Sequence, residues 1–183
     1  MLGQPGVYAL LMHLDAECEF VFDRKGTQGL FSGGWYVYVG GARGSGGLKS
    51  RTDRHKRRPA SGKRIHWNVD FFRERATICE MWFSYTRSAR KEHEWAKSIA
   101  RMRGASVPVA GFGANDCKQG CDAHFIHFAE RLFVTGFRTV LLPKKHPEVL
   151  VEFTDVGRLD QDQTMQHGKS APRATIVRYS RAR

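Results

Sequence analysis

The sequence predicts one folded α/β domain carrying a polar extension, and three observations support that. Apolar, β-branched and aromatic runs of strand length recur at residues 6–14, 35–40 and 77–85. Apolar spacing turns helical over residues 88–103. A hydrophobic share of 41% over 183 residues is enough for one core.

The elements follow in order. Residues 6–14 form an almost unbroken apolar run and read as a first strand; residues 17–23 alternate and read as a second. Residues 24–34, rich in glycine and polar side chains, read as a loop. The strand at 35–40 is ended by Gly40, Gly41, Gly44, Gly46 and Gly47, and a polar helix is expected over 47–58. Residues 59–63 are a loop, 66–72 a short helical or extended piece, and 77–85 a strand with Ile78, Met81, Trp82 and Phe83. The helix at 88–103 is followed by a loop over 104–120, a short apolar run at 124–128 and a last strand at 149–153. Residues 1–156 are therefore expected to be one domain, and 157–183 a basic polar tail without periodicity.

Charge narrows the partner. Thirty Lys and Arg oppose 18 Asp and Glu, a net charge of +12, which favours polyanions and nucleic acid above all. No apolar run approaches the roughly 20 residues of a spanning helix, and residues 1–6 do not start a signal peptide. The four cysteines, Cys18, Cys79, Cys117 and Cys121, are too few and too irregular for a secreted disulfide framework. A cytoplasmic protein with reduced thiols is expected.

Alternation places Tyr36 and Tyr38 on one strand face and Val37 and Val39 on the other. If the first strand pairs beside this one, Tyr8 comes near Tyr38, although tyrosines are also ordinary β-sheet residues. The glycine cluster fits neither nucleotide-loop spacing. It does allow a phosphate to approach backbone and helix start closely, or serves simply as a connector.

Between Arg43 and Arg64 there are nine Lys or Arg residues and one acid, Asp53. Arg51 and His55, four apart, share a helix side on which a guanidinium grips a phosphate and an imidazole handles a proton. Arg43, Lys49, Arg54, Lys56, Arg57 and Arg58 are candidates for contacts to neighbouring phosphates; the alternative is a solvated charged surface. On the later helix Glu92 lies in line with Trp95, Ala96 and Ile99, whereas Glu94 does not. An inward carboxylate needs a partner, which makes Glu92 a candidate ligand for a divalent cation or equally a first-turn helix acid or a partner for arginine.

Cys117, Cys121, His124 and His127 form a second group of ligand types, but C-x₃-C followed by H-x₂-H is not a standard zinc spacing. Packing of thiols and imidazoles is the favoured reading there, and a structural zinc ion the less favoured one. His66, Trp67 and Asp70 either back the site or belong to the core.

Taken in order, Gly6-Val7-Tyr8, Tyr38-Val39-Gly40, Arg51 with His55, and Glu92 before its apolar stripe resemble the GIY-YIG endonucleases, with Val for Ile in both tripeptides. Trp35 to Gly40, Gly46-Gly47-Leu48, His66-Trp67 and Gly111-Phe112-Gly113 with His124 are similar to an uncharacterised, largely prokaryotic GIY-YIG-like family. The likeness spans residues 6–128. The chain departs from the usual short link between the tripeptides by an insertion at about 15–34. The resemblance implies a small, mainly antiparallel sheet flanked by helices. It also implies DNA phosphodiester hydrolysis with one Mg²⁺ or Mn²⁺ on Glu92, on branched or damaged DNA among other substrates. Tyr8 would be general base or orienter of water, Arg51 the transition-state stabiliser, His55 a proton relay and Tyr38 a phosphate-side hydrogen-bonding group. A noncatalytic nucleic-acid-binding module on the same fold is the alternative.

Overall fold

The unbroken apolar run becomes the middle of a sheet, where both faces are covered and alternation is unnecessary. In the computed structural model this strand is β1 (Gly6–Leu14). The structure describes residues 3–57, 64–115, 117–133 and 135–137, together with the strand backbone at 149–153 and 176–179. The elements that follow β1 are β2 (Cys18–Val21), β3 (Gln28–Phe31), β4 (Gly34–Ala42), α1 (Gly47–Lys56), α2 (Asn68–Phe72), β5 (Thr77–Tyr85), α3 (Arg90–Ala100), β6 (Phe125–Phe128), β7 (Val149–Phe153) and β8 (Ile176–Tyr179). The sheet order is β6-β4-β1-β5-β7-β8, with every pair antiparallel, and β2 and β3 form a separate hairpin. The α+β class and the mainly antiparallel sheet agree with expectation.

Alternation sorts the core into two layers. Tyr8, Leu10, Met12, Tyr36 and Tyr38 face the hairpin, α1 and α2, where Phe31, Leu48, Phe72 and Phe125 are fully buried. Val7, Ala9, Leu11, Val37 and Val39 face α3, which covers them with Trp95, Ala96 and Ile99. Each buried aromatic removes about 150–250 Å² from water, so Phe31, Phe72 and Phe125 hold the first layer together.

Four expectations are adjusted. The segment 24–34 contains a strand, β3, because Asp23 closes a tight turn by accepting the backbone N–H of Lys25 and Thr27 at 2.9 and 3.0 Å, and β2 then supplies a pairing edge. Residues 18–31 thus form a β-hairpin. Helix α1 stops at Lys56, since Arg57 is extended, and Arg58 lies outside the described residues. Helix α3 is shorter than its periodic pattern, which continues into turns after Ala100. Within the region read as tail, Ile176–Tyr179 pairs with β7; a strand that short leaves no clear periodic signature. The remainder of 157–183 lies outside the described residues.

Strand β6 lies at the sheet margin, and outside it Ser106 forms a single antiparallel bridge with His127, with N···O distances of 2.9 and 2.8 Å. Among the described residues no helix is long and apolar enough to cross a membrane.

Candidate functional site

The pairing of β6 with β4 ends at Tyr38–Phe125, with one further bond from Val39 N–H to the His124 carbonyl. Beyond that point no strand among the described residues pairs with the β4 edge, and a cavity of 410 Å³ opens there around Gly40 and Gly41. Neither glycine leaves room for a side chain with its neighbours where they stand. A side chain at Gly40 would meet the Tyr8 phenol, its Cβ 2.4 Å from the hydroxyl oxygen, and one at Gly41 would come within 2.3 Å of Glu92 Oε2. Gly40 and Gly41 point to opposite faces of the sheet. Their bare edge therefore lets Tyr8 from one layer and Glu92 from the other line a single cavity, with Tyr38, Arg43, Arg51 and Trp67.

Tyr8 is buried, its ring centroid 6.4 Å from that of Tyr38. With the His55 proton on Nδ1, the phenol donates to His55 Nε2 at 2.8 Å. Burial pushes the Tyr8 phenol well above its usual range; Tyr38 adds to this and Arg51 opposes it. The phenol is thus neutral at physiological pH. His55 is itself fully buried behind Tyr8, because α1 lies against the sheet on that side. Arg51 is held at the cavity wall by the Trp67 ring, its guanidinium carbon 4.5 Å from the ring centroid.

Glu92 sits in the first turn of α3 with its side chain 18% exposed. Arg43 Nη2 stands 3.8 Å from Oε2, and His124 Nδ1 lies 3.2 Å from Oε1, off the line of a well-formed hydrogen bond. Burial would lower the His124 pKa, but the Glu92 carboxylate and the Cys117 thiol beside the ring outweigh it and raise the imidazole above its ordinary value.

The other cations of this region divide. Arg43 lines the cavity. Arg54 does not: its guanidinium donates to fully buried Asp70 at 2.7 Å and to the Arg64 carbonyl at 2.9 Å. Asp70 also accepts the backbone N–H groups of His66 and Trp67 at 2.9 and 3.1 Å. Arg54 and Asp70 therefore position the Trp67 wall. Lys49 is paired with Asp53 along α1, and Lys56 and Arg57 are exposed at its end. Sequence reasoning left Asn68, Gly113 and Asn115 out of the cavity wall; they come from loops and short elements without a periodic signal. Gly113 packs under Tyr38, where a Cβ would fall 2.8 Å from the ring.

The second group is also brought together, with one exchange. Ligand atoms of His93, Cys117, Cys121 and His124 all lie within 4.8 Å of one another. His127 is elsewhere: its Nε2 is 3.2 Å from the Gly33 carbonyl oxygen and its Nδ1 3.2 Å from Ser106 Oγ. His93 Nδ1 is 3.3 Å from Cys117 Sγ, 3.6 Å from Cys121 Sγ and 3.3 Å from His124 Nε2. Burial raises the Cys121 thiol to about 11, with Cys117 beside it adding to the shift. Burial would raise Cys117 too, but backbone N–H groups of Cys121 and Gln119 outweigh it and bring that thiol below its usual value.

A family described as domain of unknown function DUF123 matches residues 7–140. The chain belongs to that family. The DUF123 match takes in β1 through β6, and so both the cavity and the His/Cys group, and stops before β7 and β8. No curated protein and no solved structure matches the chain.

Proposed function

We propose that this DUF123 protein is a metal-dependent endonuclease that hydrolyses DNA phosphodiester bonds in the cavity at the β4 edge. The observation that carries the reading is the convergence of Tyr8 with His55 behind it, Arg51 and Glu92 on one cavity, from three separate elements. A phosphodiester needs three things at such a place: a proton acceptor near the attacking water, a cation for charge building on phosphorus, and a ligand for a hard metal ion.

Each has a candidate. Neutral Tyr8 accepts a proton from water while its own passes to His55 Nε2, so no free phenolate forms; the hydrogen bond already joins the two atoms. Arg51, stacked on Trp67, offers a planar cation to the phosphate oxygens. Tyr38 hydrogen-bonds the phosphate from the same sheet face. The cavity suits a hard cation: Glu92 lines it with one carboxylate beside backbone glycine, and Mg²⁺ takes one or two carboxylates with waters completing its shell. When bound, Mg²⁺ or Mn²⁺ would polarise the phosphoryl oxygen and neutralise the leaving group. The +12 net charge supports the polyanion.

The test is cutting of a labelled panel of duplex, single-stranded, flap and junction DNA with Mg²⁺, Mn²⁺ or EDTA. Metal-dependent cutting is expected, and Glu92→Ala and Arg51→Ala should each reduce it by about a hundredfold or more. Tight binding with no cutting of any substrate would reject the enzyme and leave a nucleic-acid-binding module.

A further inference from the structure

The first turn of α3 and the loop leading into β6 place four soft or borderline ligand atoms around one point, and the proposed hydrolysis makes no use of them. We infer that His93 Nδ1, Cys117 Sγ, Cys121 Sγ and His124 Nε2 bind a single zinc ion in a closed tetrahedral site.

Distances carry this inference. Zn–S bonds of about 2.3 Å and Zn–N bonds of about 2.0–2.1 Å at tetrahedral angles put ligand atoms roughly 3.3–3.8 Å apart. The three edges from His93 Nδ1 measure 3.3 Å to Cys117, 3.6 Å to Cys121 and 3.3 Å to His124. A hydrogen-bonded cluster explains this poorly. An imidazole nitrogen has either one proton or one lone pair, and here three partners converge on the same nitrogen. As one corner of a tetrahedron, the nitrogen needs no such excess of bonds. The spread below 4.8 Å also fits one ion better than a two-iron cluster, whose ligand pairs sit on separate metals.

The surroundings point the same way. Gln119 N–H lies 3.4 Å from Cys117 Sγ, so the C-x₃-C loop turns a backbone donor toward a sulfur, as a bound thiolate requires. Outside the group, the Glu92 carboxylate stands 3.2 Å from His124 Nδ1, near the ring nitrogen that the proposed ion leaves free, where a carboxylate orients a metal-bound histidine once the two align. A ligand set of two sulfurs and two nitrogens selects zinc over the hard cations proposed for Glu92. With all four positions taken by protein the ion would be structural, tying the loop before β6 to α3.

The test reads metal content and geometry, so it stands apart from DNA cutting. Purified full-length protein should hold one zinc ion per chain, lost in Cys121→Ser and in His93→Ala but kept in His127→Ala. If the ligand variants do not fold, the unaltered protein still answers: stripped of metal and refilled with Co²⁺, it should show the intense visible bands and sulfur-to-cobalt charge transfer of a tetrahedral thiolate site. A weak octahedral cobalt spectrum would overturn the inference, as would zinc content unchanged by Cys121→Ser or a Cys117–Cys121 disulfide without metal.

Discussion

The cavity at the β4 edge and the His/Cys group meet at Glu92, yet they are built in opposite ways. Around the cavity, Arg43, Arg51 and Glu92 line a volume large enough for a phosphate and its waters. In the His/Cys group four ligand atoms from α3 and the loop before β6 lie within 4.8 Å of one another. The first arrangement suits a site that binds and releases; the second suits a site that only holds. Their stability consequences should differ accordingly. Cavity side chains can be cut back at little cost to the fold, while groups that face inward cannot.

Asp70 offers the hardest challenge to that contrast, because it lies beside the cavity but is fully buried. Asp70→Ala would leave Arg54 and two backbone donors unanswered and should destabilise the protein by about 3 kcal/mol in denaturant unfolding. A loss below about 1 kcal/mol would mean that the Trp67 wall does not depend on this pair. Gly41→Ala comes next. It should cost about 1–2 kcal/mol of stability by overpacking, yet it should depress cutting as much as Glu92→Ala, since the new methyl displaces the carboxylate. Unaltered cutting in that variant would show that Glu92 does not act from its position over Gly41. The smallest effect belongs to Lys49, whose partner Asp53 is half-exposed on α1; Lys49→Ala should change stability by no more than about 0.5 kcal/mol. A larger change would give the surface of α1 a structural share that its exposure does not suggest.

The two sites also differ in how far the sequence reveals them. Tyr8, Tyr38 and Glu92 sit on regular elements, so periods of two and 3.6 suffice to say which way they face. Arg51 and His55 were paired by helical spacing, and that spacing holds, but their roles separate: Arg51 lines the cavity while His55 is buried behind Tyr8. Arg54 read as a surface cation because its partner Asp70 lies sixteen positions away, beyond the reach of any local pattern. In the His/Cys group the spacing misled. His124 and His127 are three apart in extended chain, where odd separations point to opposite sides, so they cannot share a ligand set. The fourth member, His93, stands next to Glu92 on α3, and only the path of the 104–124 loop reveals that the two segments meet. The hairpin was half legible: β2 alternates, but Gly29 interrupts β3, which is held by pairing and by the Asp23 turn.

The Ser106–His127 bridge has a consequence for crowded solution. The His124 carbonyl and the backbone groups of Ile126 and Phe128 turn toward β4, while the His124 N–H donates to the Phe112 carbonyl at 2.9 Å, leaving Phe125 and His127 of β6 to face outward. One of those two is already satisfied by Ser106, so among the described residues this four-residue margin offers Phe125 alone as an outward-facing position to a strand from another molecule. A single residue from a distant loop thereby guards this side of the sheet against chain-to-chain aggregation.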